Sequence, residues 1–224
     1  MKLLPVLSFV CLMAACQVSV AVDARPASPP RAVREPVVGL PCEGCEAVFE
    51  GMPRSLRSQA RIAPDGTPGQ AMTVTGRVHG RDGRPRAGVV IYAYQTDAGG
   101  VYPRPKVSRG RASDQHGALR GWVVTDTDGR YRFDTIRPGS YPSRDTPEHI
   151  HLHVIERGCA TYYIDDVMFT DDPLATPALL RAHRSGRGGN GLVTPTRANG
   201  RWQAVRDIAL GAAIPGYPAC GSRR

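Results

Sequence analysis

Short runs of β-branched and aromatic residues, separated by glycine-containing turns, recur along most of this chain. From about residue 72 they read MTVTGRVHG, RDGRPRAG, VVIYAYQTDAGG, GWVVTDTDGRYRFDTI, HIHLHVIERG and TYYIDDVMF. Such runs at roughly ten-residue intervals are typical of an all-β sandwich. Asp128-Gly129 marks the turn of one predicted hairpin. We therefore predict an all-β fold, a β-sandwich with long loops and at most short helices; residues 174–183 are the best helical candidate.

The length of the chain and its N-terminal composition indicate the domain organisation. The 224 residues suffice for one domain with a substantial core and leave little room for two. Residues 1–24 combine a lysine, a short apolar run and small residues, which is the layout of an export signal. Residues 25–39 are rich in proline and charge and are predicted to form a linker. We expect residues 40–224 to be the single folded domain.

Two processing sites compete within the export signal. The stretch LMAAC, ending at Cys16, resembles the lipobox of bacterial lipoproteins, and SVA, ending at Ala21, suits ordinary signal peptidase. The first site predicts membrane attachment through a lipidated Cys16, and the second predicts release. We expect an exported protein, either a periplasmic or cell-envelope lipoprotein or a secreted protein.

The remaining cysteines fit an oxidising compartment. The predicted mature chain holds four of them, Cys42, Cys45, Cys159 and Cys220. PCEGC has the spacing of a zinc or redox motif, but the second Cys or His pair that usually accompanies a zinc site of this kind does not follow within about thirty residues. Structural disulfides are therefore favoured. Four thiols allow three complete pairings, and the sequence does not choose among them.

The charge distribution of the chain gives little support to nucleic-acid binding. The net charge of +9 comes from 29 basic and 20 acidic residues, and the arginines are scattered. Scattered positive charge is typical of a solvated surface. No helix-turn-helix, RNA-binding sheet motif or compact basic arm is present, so we do not expect nucleic acid as a partner.

Three histidines occupy every second position of the stretch HIHLHV. In a strand, successive side chains alternate between faces, so His149, His151 and His153 point one way and the intervening aliphatic residues point into the core. Two or more imidazoles on one strand face favour a metal site. Two histidines do not complete such a site, and the remaining ligands must come from elsewhere in the chain.

The stretches FDTIRPGSYP and PEHIHLHV resemble the intradiol ring-cleavage dioxygenases, the family of protocatechuate 3,4-dioxygenase and catechol 1,2-dioxygenase. The resemblance runs over residues 74–173. In that family a non-haem ferric ion is held by two tyrosinates and two histidines. The matching residues are Tyr102 in AGGVYP, Tyr141 after the Pro-Gly turn, His149 and His151. The resemblance therefore implies a β-sandwich of the intradiol dioxygenase type with Fe(3+) on these four ligands.

The activity that the resemblance implies is the cleavage of a catechol-type diol by O2, between its two hydroxyl-bearing carbons. Phenolate oxygens are hard anionic donors that favour iron(III) over iron(II). By motif position, Tyr141 is the ligand that leaves the iron when the diol binds and takes up a proton. Tyr141 is therefore predicted to be catalytic as well as metal-binding, and the expected partners are a small aromatic diol and O2.

The sequence departs from the family pattern at two positions. Where the family commonly carries an arginine three residues before the first histidine, this chain has Thr146. Arg144, two residues earlier, is the candidate for the same catalytic role. Where the family often carries a glutamine on the following strand, this chain has Asp166, and a carboxylate beside a ferric site would alter the pKa and binding of the substrate.

Other conspicuous residues have plainer interpretations. Tyr92 and Tyr94 are expected to be core or pocket-wall aromatics, and His153 is expected either behind the two ligands or at the surface. The carboxylates near the end of TYYIDDVMFTDD, Asp165, Asp166, Asp171 and Asp172, are interpreted as strand-end residues because nothing resembles a calcium-binding EF-hand loop.

Two alternative functions stay open at this point. Residues 72–98 also resemble the small β-sandwich modules of the transthyretin or carboxypeptidase-regulatory type, which bind partners without chemistry. That reading does not account for the spaced tyrosines and histidines. The other alternative is a dioxygenase homologue that holds iron without cleaving a ring. The sequence predicts neither the particular substrate nor the oligomeric state.

Overall fold

The strand-forming stretches of the sequence pair into two sheets. A computed structural model describes residues 35–40, 44–218 and 220. The strands of this part of the chain are β1 Gln59–Arg61, β2 Ala71–His79, β3 Val90–Tyr94, β4 Arg120–Val124, β5 Arg130–Ile136, β6 His149–Glu156, β7 Ala160–Phe169, β8 Leu192–Val193, β9 Thr196–Ala198, β10 Arg201–Val205 and β11 Ile208–Ala209. The helical elements are a 3-10 turn at Cys45–Val48, α1 Arg111–Gln115 and α2 Pro177–Ala182.

The predicted helix near residue 180 is α2, and it is shorter than the stretch 174–183. It begins at Pro177, whose missing N–H costs nothing in a first helical turn. The Thr176 hydroxyl accepts a hydrogen bond from Leu179 N at 3.2 Å and caps the helix. The short helices agree with the predicted fold class, a β-sandwich with at most short helices.

The two sheets differ in their strand order. In one sheet the order is β1-β5-β2-β10-β9, with β11 pairing to the far part of β2. In the other the order is β4-β3-β6-β7-β8. The three longest pairings of the second sheet, between β3 and β4, β3 and β6, and β6 and β7, are antiparallel.

The predicted hairpin at Asp128-Gly129 is wrong in its pairing, although the turn is present. Gly129 adopts a left-handed conformation with a φ of 71°, and the Asp126 carboxylate accepts hydrogen bonds from Asp128 N and Arg130 N. The strands on either side, however, belong to different sheets. The turn therefore connects β4 of one sheet to β5 of the other. Apolar side chains of both strands, such as Val123 and Phe133, pack in the core between the sheets.

The core lies between the two sheets, and the inner face of β6 contributes to it as predicted. Ile150, Leu152 and Val154 are buried there against Val74 and Phe133 of the opposite sheet. This confirms that the aliphatic residues of HIHLHV point into the core and that the histidines point outward. The outer face of the same sheet is therefore the one that carries the candidate metal ligands.

The N-terminal part of the described chain covers this outer face. Val48 is fully buried and packs with Val90, Tyr92 and Ile155. The Trp122 indole donates a hydrogen bond to the Val48 carbonyl at 2.7 Å. The outer face of β3 and β6 consequently forms a second, smaller core at the Ile155 end of β6.

A β-bulge in β7 breaks the strict alternation of its side chains. Ile150 of β6 pairs with Val167, and Leu152 pairs with Ile164, so three steps on β7 match two on β6. Asp165 and Asp166 thus stand together opposite His151. Because side chains alternate with a period of two, Asp166 lies on the histidine face next to core-facing Val167, and the extra residue allows Ile164 to face the core as well.

Disulfides tie down the described chain at two places. Cys159 and Cys220 are bonded to each other, with their Cα atoms 5.7 Å apart, and Cys45 is also disulfide-bonded. Cys42, the export signal with Cys16 and most of the predicted linker lie outside the described residues. Within the described ranges, no helix is both long and apolar enough to span a membrane.

Candidate metal centre

Tyr102 is brought to the site by a tight turn after β3. The Asp97 carboxylate accepts hydrogen bonds from Gly99 N at 2.8 Å and from Val101 N at 3.1 Å. Gly100, with a φ of 80°, packs so closely against the Ser140 carbonyl oxygen that a Cβ at this position would clash with it. A glycine is therefore required for the Tyr102 turn to approach the segment that precedes Tyr141.

Tyr141 and His149 lie at opposite ends of one loop, and Asp172 anchors both ends. Its Oδ2 atom accepts hydrogen bonds from the Ser140 hydroxyl at 2.7 Å and from Glu148 N at 2.9 Å. The residue before each ligand is thus held by the same buried carboxylate. The spacing of the two ligand side chains follows from this shared anchor and from the start of β6.

The structure brings all four predicted ligands together. The Tyr102 hydroxyl lies 2.7 Å from the Tyr141 hydroxyl and 2.8 Å from His151 Nε2. The Tyr141 hydroxyl lies 3.1 Å from His151 Nε2 and 3.0 Å from His149 Nε2. The two Nε2 atoms are 3.1 Å apart. Two phenol oxygens and two imidazole nitrogens therefore converge on a single point.

The second nitrogen of each predicted ligand histidine contacts an acceptor outside the cluster. His149 Nδ1 donates to the Pro147 carbonyl at 2.7 Å, and His151 Nδ1 lies 3.0 Å from Asp166 Oδ1. Since a carbonyl oxygen can only accept, the proton of neutral His149 resides on Nδ1. Both rings then present an unprotonated Nε2 toward the tyrosines, which is the arrangement expected of metal-ligating histidines.

The donor atoms fit a metal ion in both spacing and chemistry. Four ligands about 2.0 Å from one ion in a tetrahedron stand about 3.3 Å apart, close to the 2.7–3.1 Å separations found among these donors. Phenolate oxygens with imidazole nitrogens form a hard donor set, which suits iron(III). These side chains are therefore able to hold the ferric ion that the sequence motif implies.

Burial sets the protonation states of the cluster in the absence of a cation. Burial, and then the hydrogen bond with Tyr141, raises the pKa of Tyr102 far above its ordinary value. Burial and the neighbouring His151 lower the pKa of His149. The neutral imidazole that binds metals is thus favoured, whereas a tyrosinate at this place requires a positive charge such as a metal ion beside it.

Aromatic side chains pack behind the cluster. The Tyr94 ring stands opposite His151 across the β3–β6 pair and lies between two imidazoles, with centroids 4.4 Å from His151 and 3.7 Å from His116. The Tyr92 hydroxyl is 3.0 Å from His116 Nδ1. The interpretation of Tyr92 and Tyr94 as core or wall aromatics is confirmed. The sequence did not point to His116, a single histidine after the short helix α1.

His153 lies behind the two ligand histidines rather than at the surface. Its ring is buried among aromatic neighbours, 5.8 Å from the rings of Tyr92 and Tyr163. Burial, and then the nearby His116, lowers the pKa of His153 to about 3. The side chain is therefore neutral at physiological pH and serves as packing.

The loop between Tyr141 and His149 carries the departures from the family pattern. Arg144 is exposed, with a φ of 54°, and its backbone N–H donates to the Tyr141 carbonyl at 2.8 Å. No described residue forms a side-chain hydrogen bond with Arg144. The Thr146 hydroxyl donates to Asp145 and does not join the donor cluster. The catalytic role of Arg144 stays a prediction.

The four conspicuous carboxylates each contact a protein donor, but their interpretation as strand-end residues is wrong for Asp165 and Asp166, which lie inside β7. Asp165 accepts hydrogen bonds from Ser185 and Gly186, and Asp171 forms a two-pronged pair with Arg137 at 2.8 Å. Asp172 and Asp166 lie closer to the cluster, one behind the loop and one behind His151. Burial alone would raise the pKa of Asp166, but the charge and hydrogen bond of His151 hold it below its ordinary value.

Comparisons with known proteins agree with this site. A sequence profile described as "Dioxygenase" matches residues 49–197. The chain is 32% identical over 111 residues to the protocatechuate 3,4-dioxygenase beta chain of Burkholderia cepacia, covering 47% of each chain. It is 34% identical over 130 residues to the hydroxyquinol 1,2-dioxygenase of a Rhizobium species, covering 51% of this chain and 42% of the relative. The chain thus spans about half the length of these relatives, or less.

Solved structures show the same fold. The dioxygenase domain of a dioxygenase carbohydrate-binding protein fusion from Streptomyces sp. SirexAA-E superposes with a TM-score of 0.52 at 25% identity, covering 79% of this chain and 98% of that one. Hydroxyquinol 1,2-dioxygenase from Pseudomonas putida DLL-E4 gives a TM-score of 0.52 at 24% identity, covering 71% and 62%. With its two-sheet fold, its matched profile and its convergent tyrosines and histidines, this chain belongs to the intradiol dioxygenase family.

Proposed function

We propose that this protein is a non-haem iron(III) dioxygenase that uses O2 to cleave a catechol-type diol between its two hydroxyl-bearing carbons. The observation that carries the proposal is the convergence of two tyrosine oxygens and two histidine nitrogens, with five of their six pairs separated by 2.7–3.1 Å. The names of the relatives, which are dioxygenases of protocatechuate and hydroxyquinol, support a substrate of this class.

Tyr102, Tyr141, His149 and His151 are the residues that would hold the iron. When bound, Fe(3+) supplies an electron relay and a template for the diol and oxygen. The protein fixes the donors by the Asp97 turn, the Asp172 anchor and strand β6. Placing the donors in advance lowers the entropic cost of assembling the reacting groups.

Tyr141 is proposed as the ligand that yields to the substrate and accepts its proton. Its neighbours 142–145 are exposed, so the loop that bears Tyr141 borders solvent. Tyr102, in contrast, sits in the turn cross-linked by Asp97. A phenolate released from the centre is a strong base and is well placed to take the diol proton as a general base.

Arg144 is proposed to stabilise negative charge on the bound substrate in place of the family arginine. It lies three residues after Tyr141 on the same exposed loop. A guanidinium remains charged throughout the accessible pH range and can pair with an anionic oxygen in two-pronged geometry. The role requires the loop to turn the side chain toward the centre when substrate binds.

We also propose that the protein acts outside the cytoplasm. The sequence of residues 1–24 and the disulfides of the folded part support export. The alternative function is that of a non-catalytic binding module of the transthyretin type. Such a module would not explain why two tyrosine oxygens and two histidine nitrogens converge. An iron-binding homologue without ring cleavage differs from the proposal only in turnover.

The decisive experiment combines colour, iron and product analysis on the purified protein. Tyrosinate bound to iron(III) absorbs visible light, so we expect a coloured protein with one iron per chain that consumes O2 and releases a ring-opened diacid. Tyr163→Phe, which removes a tyrosine hydroxyl outside the cluster, is the matched control and should keep the colour. A colourless, iron-free protein would support the binding module, and a coloured protein inert toward several catechols would support the non-cleaving homologue.

A further inference from the structure

The two predicted ligand histidines differ in the acceptor that lies next to Nδ1. His149 donates its Nδ1 proton to the neutral carbonyl of Pro147 at 2.7 Å. His151 Nδ1 instead lies 3.0 Å from the carboxylate of Asp166. Hydrogen bonds to a charged acceptor are about twice as strong as those between neutral groups. The cluster is therefore asymmetric, with a negative charge placed behind one ligand only.

The orientation of the His151 ring does not depend on that charge. The Tyr94 ring stacks on it at 4.4 Å with an interplanar angle of 20°, and the strand pairing places the two residues directly opposite each other. Nε2 is also 2.8 Å from the Tyr102 hydroxyl. A neutral acceptor at position 166 would suffice to hold the proton on Nδ1, so the distinctive contribution of Asp166 is its charge.

The charge is shielded from solvent and from other cations. The Asp166 side chain is 16% exposed and that of His151 is 18% exposed, so screening by water and salt is weak at this pair. Among the described residues, the imidazole that contacts the Asp166 carboxylate is that of His151, whereas the adjacent Asp165 pairs with Arg187 at 3.4 Å. The negative charge of Asp166 is therefore felt mainly through the His151 ring.

We infer that Asp166 is a positioning residue that strengthens His151 as an electron donor and holds the centre in the iron(III) state more firmly than a neutral residue would. The inference rests on the proposed function, because it concerns the ferric ion on these four ligands. A carboxylate behind a ligating imidazole raises the basicity of the ligand. Added to two tyrosinates, it favours the oxidised ion and makes that ion less electrophilic.

The test compares neutral substitutions at position 166 in the full protein. Asp166→Asn keeps the size and an acceptor oxygen but removes the charge, so it should retain iron. The midpoint potential of the Fe(III)/Fe(II) couple should be higher in Asp166→Asn than in the wild type. The tyrosinate-to-iron absorption band of the resting variant should lie at lower energy. Asp166→Ala, which also loses the acceptor, should bind iron roughly 10–100-fold more weakly.

Two further variants keep the test decisive. Asp166→Gln is a second neutral acceptor and should shift the potential and the band in the same direction, which covers the case that Asp166→Asn fails to fold. Asp145→Asn removes a charge from the exposed loop between Tyr141 and His149 without touching a histidine, and it should leave both readouts near their wild-type values.

The outcomes separate this inference from the proposed function. An unchanged potential and band in iron-loaded Asp166→Asn and Asp166→Gln would overturn the inference and leave the dioxygenase proposal intact. The predicted shifts in a protein that cleaves no catechol would support the inference while the proposed turnover fails. Shifts of equal size in Asp145→Asn would mean that the effect is general electrostatics rather than the His151 contact, and would overturn the inference.

Discussion

The hydroxyl oxygen of Tyr102 lies 2.7 Å from that of Tyr141, although 39 residues separate them in the chain. One side chain comes from a turn cross-linked by a carboxylate, and the other comes from a loop whose following residues are exposed. The two tyrosines therefore contribute the same type of donor atom, one from a hydrogen-bonded turn and the other from an exposed loop. We expect them to respond differently when each is replaced.

Removal of the Tyr102 hydroxyl should change the visible spectrum of the resting protein, and removal of the Tyr141 hydroxyl should lower the turnover rate. Tyr102→Phe should alter the visible band before any substrate is added, because a permanent anionic ligand is lost. Tyr141→Phe should still bind iron and catechol but should turn over roughly 10²–10⁴-fold more slowly, since the general base is absent. Catechol titration followed by visible absorption, with oxygen uptake, measures both. Undiminished ring cleavage in Tyr141→Phe would contradict its assignment as the mobile ligand.

The three histidines of β6 should separate into ligands and packing. His149→Ala and His151→Ala should abolish iron binding, whereas His153→Ala should retain most of the iron. His153 is buried among aromatic rings, so its truncation should lower the free energy of unfolding by about 1–3 kcal/mol. Iron content and urea unfolding of the three variants distinguish these effects. Equal loss of iron in all three would place His153 in the metal centre.

Asp172 should control the metal centre without touching it. Asp172→Ala removes the shared acceptor of Ser140 and Glu148, and it should weaken iron binding roughly 10–100-fold, as loss of a partner behind the ligands typically does. The buried donors left unpaired should also cost about 1–3 kcal/mol of stability. Asp171→Asn, which affects a pair with Arg137, is the matched control and should bind iron as the wild type does. An Asp172→Ala protein of reduced stability but unchanged iron affinity would show that the anchor serves folding alone.

Asp134, on the opposite sheet, should make folding stability depend on acid pH. Burial alone would raise its pKa, but hydrogen bonds from Arg132, Thr73 and Gln59 lower it overall. Because the folded-state pKa lies below the unfolded value, the stabilisation is complete above the unfolded pKa of about 3.9 and is lost as pH falls through the folded pKa.

The corresponding measurement is urea unfolding of Asp134→Asn and the wild type between neutral and acid pH. The variant should be less stable by about 1–3 kcal/mol near pH 7, and the difference should shrink as the pH falls. Asp128→Asn, which removes an exposed carboxylate, should show no such convergence. A difference that stays constant with pH would exclude the ionised carboxylate as its source.

The lipobox-like stretch LMAAC, one of the two processing sites proposed for residues 1–24, predicts a lipid on Cys16. Cys16→Ala should leave the protein soluble, while the wild type should fractionate with membranes because an acyl-modified N-terminus partitions into lipid. Fractionation and mass spectrometry of the mature N-terminus provide the readout. A soluble wild-type protein whose mature chain begins near residue 22 or 25 would contradict lipid attachment and favour cleavage after Ala21.

The alternation of apolar residues in β6 was sufficient to predict both of its faces, because a strand repeats every two residues. The four ligands followed from a family resemblance, and the structure brings them together. The hairpin at Asp128-Gly129 was mispredicted because a turn sequence determines the local bend but does not determine which strands pair with each other. Asp172 was identified only as a strand-end carboxylate and His116 was not identified at all, since their roles arise from contacts between distant segments.

The bulge in β7 also bears on how much the length of this strand can vary around the site. Two residues, Asp165 and Asp166, stand opposite His151, while Ile164 and Val167 on either side of them are both buried in the core. Removal of one of the two would leave a single residue opposite His151 and keep both apolar neighbours on the core face. A strand of either length therefore places a side chain next to His151, and the identity of that side chain, rather than the length of the strand, determines the charge that the imidazole meets.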